Sequence, residues 1–241
     1  MGLFATLKSL FASNPRSKLK RVNIEKRFEL LGTRGQGSMS KAYRVHDREQ
    51  GGREFYLKVL DKQKTDEFES RFAGLNRPSE GEIAMSLRHD NIVKTYEYGL
   101  TNKGEMYLLM EVIHGQGLNF HIENKTPFLK GNRVKLLVQM AEGLDYIHKT
   151  GYIHRDICPR NFLVTDDEHV LKYIDFGLTI PKKPEFGKPG NRTGTAEYLA
   201  PEVIKRMQTD HRVDLFALGV TAYELFTFNL PWPRGRSQQT L

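Results

Sequence analysis

The sequence has little cysteine and no long apolar run, and each absence excludes a class of protein. Cys158 is the single cysteine in 241 residues, which excludes an internal disulfide framework and a cysteine-built zinc site and favours a reducing compartment. No stretch approaches the roughly 18 consecutive apolar residues that predict a membrane-spanning helix. The N-terminus also lacks the apolar core and cleavage site of a secretory signal. We therefore expect a cytoplasmic protein with no transmembrane segment.

The composition is that of a folded globular protein rather than a disordered or fibrous one. Hydrophobic residues make up 39% of the chain and charged residues 27%, as in ordinary globular domains. The length favours one domain of ordinary size or two small lobes. The sequence contains no internal repeat and no low-complexity segment.

Positive charge is concentrated at the N-terminus. The formal net charge is +8, and residues 1–27 hold seven bases and one acid, so the rest of the chain carries only +2. Because nucleic-acid binders usually spread bases over a folded surface, we expect no nucleic-acid partner.

The basic segment 1–27 has two interpretations. The first is a solvated tail. The second is a short helix that makes a weak contact with an anionic membrane or a partner through residues 1–21, because bases there follow apolar residues at helical spacing. Those apolar residues are Leu3, Phe4, Leu7, Leu10 and Phe11. Gly2 and Thr6 also fit the N-myristoylation pattern, which would add membrane association to the cytoplasmic location.

Apolar patterning predicts a strand-rich first part and a helix-rich second part that join near residue 113. Strands are predicted over 28–31, 42–45, 54–60, 92–99 and 105–112, with a turn over 32–40. Helices are predicted over 79–88, 134–147 and 215–228, the second of which would end at Gly151.

Two features of the first part indicate a phosphate-binding site. Gly35 and Gly37 lie between the first two strands, where glycine lets backbone amides approach a phosphate, although a plain glycine-rich hairpin explains them equally well. Lys58 lies on the third strand, and Glu80 on the next helix would hold its ammonium toward the phosphates. Glu82 competes for this role, but a side chain two residues further along a helix points in a different direction from that of Glu80.

The most informative motifs lie in the second part. Residues 154–161 read His-Arg-Asp-Ile-Cys-Pro-Arg-Asn, residues 175–177 read Asp-Phe-Gly, and residues 194–202 end in Ala-Pro-Glu. In this order, with Lys58 upstream and Asp214 downstream, the motifs resemble those of the eukaryotic-type (Hanks-type) serine/threonine protein kinase family. The resemblance covers about residues 28–232, and the ordered set is far more specific than any single triplet.

The resemblance implies an α+β, bilobal protein-kinase fold, with a small antiparallel β-sheet N-lobe plus one helix and a mainly helical C-lobe. The basic segment 1–27 would then precede a nucleotide-binding N-lobe over 28–112 and a catalytic C-lobe over 113–241. Because the family continues after Trp232 with helices and an arginine that pairs with the glutamate at Glu202, the C-lobe looks C-terminally incomplete. The alternatives are a fragment and a minimal domain; we expect the fragment, with exposed apolar surface and low stability on its own.

The resemblance also implies an enzyme that transfers the γ-phosphate of Mg-ATP to a Ser or Thr hydroxyl of a protein substrate. Asp156 would accept the hydroxyl proton, Asn161 and Asp175 would bind Mg²⁺, and Lys58 would hold the ATP phosphates. Further catalytic residues are expected to be Arg160 and Thr195. Further nucleotide contacts are expected from Gly35, Gly37, Glu80, Glu111, Ile113 and Leu163.

Two departures from the family pattern bear on catalysis. Cys158 stands where serine/threonine kinases carry a lysine that contacts the γ-phosphate, and we predict that Arg160 supplies the missing cation. Tyr56 replaces a small alanine above adenine and Ala42 replaces a valine, so the tyrosine ring either conserves the pocket volume or excludes ATP. The alternatives are a pseudokinase scaffold and a small-molecule kinase of related fold. Residues 194–202 argue against the second, since they resemble a peptide-docking loop.

Overall fold

Alternating apolar and polar residues build the sheet of the N-lobe. The computed structural model describes residues 19–36 and 40–233. In chain order, the N-lobe elements are β1 (Arg21–Val22), α1 (Ile24–Arg27), β2 (Phe28–Gln36), β3 (Ser40–Asp47), β4 (Arg53–Leu60), α2 (Lys62–Ser70), α3 (Glu80–Ser86), β5 (Thr95–Thr101) and β6 (Met106–Met110). The six strands form one sheet in the order β1-β5-β6-β4-β3-β2, in which only the β1–β5 pair is parallel.

Because side chains alternate along each strand, one face of the sheet packs into the core of the N-lobe and the other faces the cleft between the lobes. On β4, Phe55 and Leu57 are buried in a cluster with Leu109 on one side of the sheet. Successive side chains on a strand point to opposite faces, so Lys58 projects from the other side. Its neighbour across the sheet there is Ala42.

Part of the basic segment lies on this sheet. Leu100 donates from its amide to the carbonyl of Lys20 at 3.0 Å, which brings β1 alongside β5. Arg27 is buried and forms ion pairs with Asp47 at 2.7 Å and Glu97 at 2.6 Å. The solvated-tail interpretation is therefore wrong for Arg27, because its charge is neutralised inside the lobe. The predicted membrane contact falls mainly on residues 1–18, which lie outside the described residues.

The second lobe is mainly helical. Its elements are β7 (Gly115–Gly117), α4 (Leu118–Glu123), α5 (Arg133–Lys149), β8 (Tyr152–Ile153), β9 (Phe162–Thr165), β10 (Leu171–Tyr173), β11 (Ile180–Pro181), α6 (Pro201–Ile204) and α7 (Arg212–Thr227). Helix α5 buries one stripe of residues, namely Leu136, Met140, Leu144 and Ile147, as its apolar spacing predicts. A sheet-containing N-lobe followed by a mainly helical C-lobe confirms the α+β bilobal prediction.

Several elements differ from the predicted ones. The predicted turn over 32–40 begins later, because β2 continues to Gln36. Helix α2 was not predicted, because its only buried residue is Phe68 and it therefore lacks an apolar stripe. Its start is nevertheless fixed by Asp61, whose carboxylate accepts from the amide of Lys64 at 3.0 Å.

The outer face of α7 is apolar and exposed, as the sequence predicts. Leu215, Tyr223 and Phe226 all have large exposed fractions. The carboxylate of Glu202 forms no ion pair with any residue that the structure describes. None of the helices in the described part of the chain combines the length and apolar character needed to cross a membrane.

Candidate active site

A cleft of about 670 Å³ is lined by residues of both lobes, within the roughly 300–1,000 Å³ of typical ligand pockets. Most of the predicted site residues line it. They are Lys58, Glu111, Ile113, Asp156, Arg160, Asn161, Leu163, Asp175 and Thr195. Of the other three, Glu80 lies behind Lys58, Gly35 lies near the end of β2, and Gly37 lies outside the described residues.

A buried lysine lies between two carboxylates at the inner end of the cleft. The Nζ atom of Lys58 is 2.6 Å from Oε1 of Glu80 and 2.9 Å from Oδ1 of Asp175. Burial alone would lower the pKa of Lys58, but the two carboxylates outweigh it and raise that pKa. Burial likewise opposes ionisation of Asp175, yet the Lys58 ammonium and the Gly177 amide lower its pKa. Both groups are therefore charged at neutral pH.

The start of helix α3 decides which glutamate reaches Lys58. Ser79 caps the helix, and Glu82 closes a capping box by accepting from the Ser79 backbone amide at 2.7 Å. This bond turns Glu82 away from the cleft, whereas Glu80 is buried one residue into the helix and points at Lys58.

The Asp156 carboxylate is oriented by donors from two other segments. Its Oδ1 accepts from the amide of Thr195 at 2.9 Å and from the Thr195 hydroxyl at 2.7 Å, and its Oδ2 accepts from Nδ2 of Asn161 at 2.8 Å. Nδ2 of Asn161 also donates to the Asp156 carbonyl at 2.7 Å. Because the amide nitrogen of Asn161 faces Asp156, its Oδ1 oxygen is the atom left for a cation.

Asp214 holds the backbone at the start of the 154–161 stretch through hydrogen bonds. This carboxylate is 1% exposed and accepts from the amides of His154 at 2.8 Å and Arg155 at 2.7 Å. It also lies 2.7 Å from Nε2 of His148 on α5. A buried acceptor on α7 therefore sets the position of the loop that carries Asp156.

The ceiling of the cleft includes the unusual tyrosine. Tyr56 pairs with Met110 across the sheet and Ala42 pairs with Lys58, so these side chains share the interlobe face. Tyr56 and Ala42 both line the cleft. Since about 670 Å³ is open with the ring in place, the ring does not fill the space.

The two residues that flank Pro159 have contrasting environments. Cys158 is 2% exposed, and its Sγ lies 3.6 Å from the Thr195 hydroxyl. Burial, reinforced by the charge of Asp156, raises the pKa of Cys158 to about 12, so the thiol is protonated and neutral. Arg160 is exposed and lines the cleft, whereas Arg155, the other arginine of the 154–161 stretch, is buried.

Two basic residues near the site were missed from the sequence. Lys172 on β10 forms an ion pair with Glu111 at 2.9 Å, and Arg77 donates to backbone carbonyls that follow Asp175. No motif or periodicity marks either residue, because each acts on a segment distant along the chain.

The donor set fits Mg²⁺ bound together with a phosphate ligand. No group of three or more His, Cys, Asp or Glu side chains in the described part of the chain could hold a metal ion by itself. Magnesium commonly takes one or two protein ligands and completes its shell with substrate phosphates and water. The carboxylate of Asp175 and the amide oxygen of Asn161, both at the cleft, meet that requirement.

Comparison with known proteins agrees with this geometry. Residues 28–241 match the family described as "Protein kinase domain". The chain belongs to the protein kinase family. The kinase is 32% identical over 216 residues to the human "Ribosomal protein S6 kinase alpha-1", a match that covers 89% of this chain and 29% of that protein.

Two further relatives place the kinase in the Hanks-type serine/threonine family. An "Aurora kinase" of Saccharomyces cerevisiae is 35% identical over 215 residues, which cover 87% of this chain and 55% of the relative. The "Probable serine/threonine-protein kinase pknA2" of Bifidobacterium longum is 32% identical over 215 residues, which cover 87% of this chain and 27% of the relative. The kinase thus spans between about a quarter and just over half the length of these relatives.

Proposed function

We propose that this kinase is catalytically active and transfers the γ-phosphate of Mg-ATP to a Ser or Thr hydroxyl of a protein. The observation that carries the proposal is the orientation of the Asp156 carboxylate by Thr195 and Asn161 in the cleft that also contains Lys58 and Asp175. Phosphoryl transfer requires mainly the positioning of groups and the stabilisation of charge. This cleft offers both.

Each charged residue has a role in the proposed reaction. Asp156 accepts the proton of the substrate hydroxyl and orients that hydroxyl toward the terminal phosphate. Lys58 remains an ammonium because Glu80 and Asp175 raise its pKa, and it holds the ATP phosphates. Asp175 and Asn161 would hold Mg²⁺, which would supply positive charge beside the phosphates.

The remaining walls of the cleft would hold the nucleotide in this proposal. Glu111 and Ile113, between the lobes, would offer backbone groups to adenine, and Leu163 would pack against the base from the C-lobe side. Tyr56 would cover it from the sheet. Gly35 and Gly37 would cover the phosphates through their backbone amides.

Arg160 is the proposed substitute for the lysine that Cys158 replaces. A neutral, buried thiol cannot stabilise a phosphate, whereas an exposed guanidinium on the cleft wall can. Thr195 supports the assignment to serine/threonine substrates by resemblance, and its two bonds to Asp156 support a role in orienting the base.

The pseudokinase scaffold is the second candidate. Cys158 and Tyr56 favour it, because either substitution could remove activity while the fold persists. The experiment that separates the two functions is transfer of labelled phosphate from Mg-ATP to the chain itself and to a mixed protein substrate. The active kinase is expected to label protein, whereas the variants Asp156→Asn and Asp175→Asn are not.

Asp167→Asn is the matched control, because Asp167 is an exposed aspartate of the same lobe. It should label protein as the unchanged chain does. Absence of labelling by the unchanged chain, with Mg-ATP still bound in a direct titration, would establish the scaffold instead.

A weak contact of the N-terminal segment with an anionic membrane or a partner is a separate proposal, supported by its sequence pattern alone. Sedimentation with anionic vesicles, comparing the chain with and without residues 1–18, tests it while leaving β1 intact. Equal sedimentation of the two would contradict the membrane contact.

A further inference from the structure

The segment that joins Lys58 to Glu80 contacts residues 175–202, from Asp-Phe-Gly to Ala-Pro-Glu, which we call the activation segment. It contains α2 and carries Phe68, Phe72 and Arg77, which we call the 68–77 clamp. Phe68 and Phe72 are buried in one cluster with Ile180 and Phe186 of the chain that follows Asp-Phe-Gly. The ring centroids of Phe72 and Phe186 lie 5.8 Å apart. The clamp therefore bridges the N-lobe and the segment that begins at Asp175.

Arg77 is the polar part of the clamp. Its Nη2 donates to the carbonyls of Gly177 at 3.1 Å and Thr179 at 2.7 Å, and its Nε donates to Thr179 at 3.1 Å. Its guanidinium lies over the Phe68 ring, 4.8 Å from the centroid. The stacking fixes the plane of the guanidinium, so its donors face the two carbonyls.

These carbonyls belong to residues that determine where Asp175 lies. The amide of Gly177, whose carbonyl Arg77 holds, donates to Oδ1 of Asp175 at 2.9 Å. That oxygen is also the one that contacts Lys58. Arg77 itself lies three residues before Glu80, the other partner of Lys58. Arg77 therefore ties the chain that leads into the Glu80 helix to the backbone that follows Asp175.

We propose that Arg77 is a positioning residue for phosphoryl transfer, which holds the backbone after Asp175 so that the carboxylate faces the cleft. This inference rests on the proposed function, because it assigns Asp175 to Mg²⁺. Arg77 touches neither nucleotide nor metal in this scheme, and it acts through Gly177 and Thr179. Without it, the Asp175–Thr179 backbone samples positions in which the carboxylate is turned from the cleft, so Mg²⁺ binds more weakly.

The test compares Arg77→Ala and Arg77→Lys with Arg71→Ala. Arg71 is a matched control: it lies on the same segment, stacks on the same Phe68 ring with its guanidinium 6.0 Å from the centroid, and pairs with Glu67 at 3.7 Å. It makes no hydrogen bond to the activation segment among the described residues. Lysine keeps the charge of Arg77 but loses the fork of donors, so its effect should lie between those of arginine and alanine.

Two measurements report on the position of Asp175. The first is the Mg²⁺ concentration for half-maximal transfer, which should rise at least about tenfold in Arg77→Ala, the size expected for lost charge-assisted hydrogen bonds. The second needs no catalysis: hydrogen exchange of the 176–187 backbone without nucleotide should become faster in Arg77→Ala. Arg71→Ala should change neither, and Arg77→Lys should change both less than alanine does.

The outcomes separate the inference from the proposed function. Unchanged exchange and unchanged Mg²⁺ dependence in Arg77→Ala would overturn the inference and leave the function intact. A lower melting temperature with an unchanged Mg²⁺ dependence would also overturn it, because it would make Arg77 merely structural. If Arg77→Ala does not fold, Arg77→Lys carries the same two measurements. A chain that transfers no phosphate contradicts the proposed function, and hydrogen exchange still tests the clamp.

Discussion

The bond between Thr195 and Asp156 gives the sharpest test of the proposed general base. The Thr195 hydroxyl donates to Oδ1 of Asp156 at 2.7 Å, and the amide of the same residue donates to the same oxygen at 2.9 Å. Thr195→Val is nearly isosteric and removes only the hydroxyl bond. Thr195→Ser keeps that bond and removes only a methyl group.

The expected effect is about a tenfold loss of kcat in Thr195→Val. A hydrogen bond to a charged group contributes about 1.5–3 kcal/mol, and the lower limit applies here because the amide bond to Oδ1 remains. About 1.4 kcal/mol corresponds to a tenfold change in rate. Because Thr195 holds the base rather than the nucleotide phosphates in this scheme, KM for ATP should change less than about threefold.

Steady-state transfer to a protein substrate at saturating Mg-ATP measures this effect. Thr195→Ser should keep most of the activity, since its hydroxyl reaches the same oxygen. A valine variant with kcat within about twofold of the unchanged kinase, or a serine variant as slow as valine, would contradict a role of the hydroxyl in orienting Asp156.

Four further predictions address other parts of the site. Arg160→Ala should lower kcat by about tenfold, and Arg160→Lys should restore part of the activity. An unchanged kcat of Arg160→Ala in steady-state kinetics would mean that another group supplies the cation. Cys158, with its pKa raised to about 12 by burial, should react with a maleimide at neutral pH at least about tenfold more slowly in the folded chain than in denaturant, and equal rates would contradict its burial. Tyr56→Ala should change the Kd for Mg-ATP by less than about tenfold in a calorimetric titration, whereas a ring that blocks the pocket would give binding only in the variant. Asp214→Asn should reduce the free energy of unfolding by about 2–4 kcal/mol in a urea titration, because an amide nitrogen would then face a buried backbone donor. A loss under about 0.5 kcal/mol would contradict this role of the Asp214 carboxylate.

Local patterns predicted much of the fold because local forces produce it. The apolar stripe of α5 and the alternation on β4 are set by burial on one face, and both elements have the predicted type. Helix α2 was not predicted because a single buried side chain, Phe68, gives no period. The parallel pairing of β1 with β5 was also missed, since its hydrogen bonds join residues far apart in sequence.

For the candidate site, the motifs were sufficient to identify the family, the residue types and their order. Lys58, Asp156, Asn161 and Asp175 were named from motifs, because phosphoryl transfer requires an ammonium, a base and oxygen ligands for Mg²⁺. The choice between Glu80 and Glu82 became definite only in the structure, where the capping box with Ser79 occupies Glu82.

The donors that hold these groups could be identified only in the folded chain. Thr195 lies 39 residues from Asp156, and Arg77 lies 102 residues from Thr179. Hydrogen bonds over such separations depend on how the chain packs. A sequence motif does not indicate which distant residue its members will contact. Motifs therefore named the residues proposed to perform the chemistry, Thr195 among them, whereas the atoms that each residue contacts follow from long-range packing.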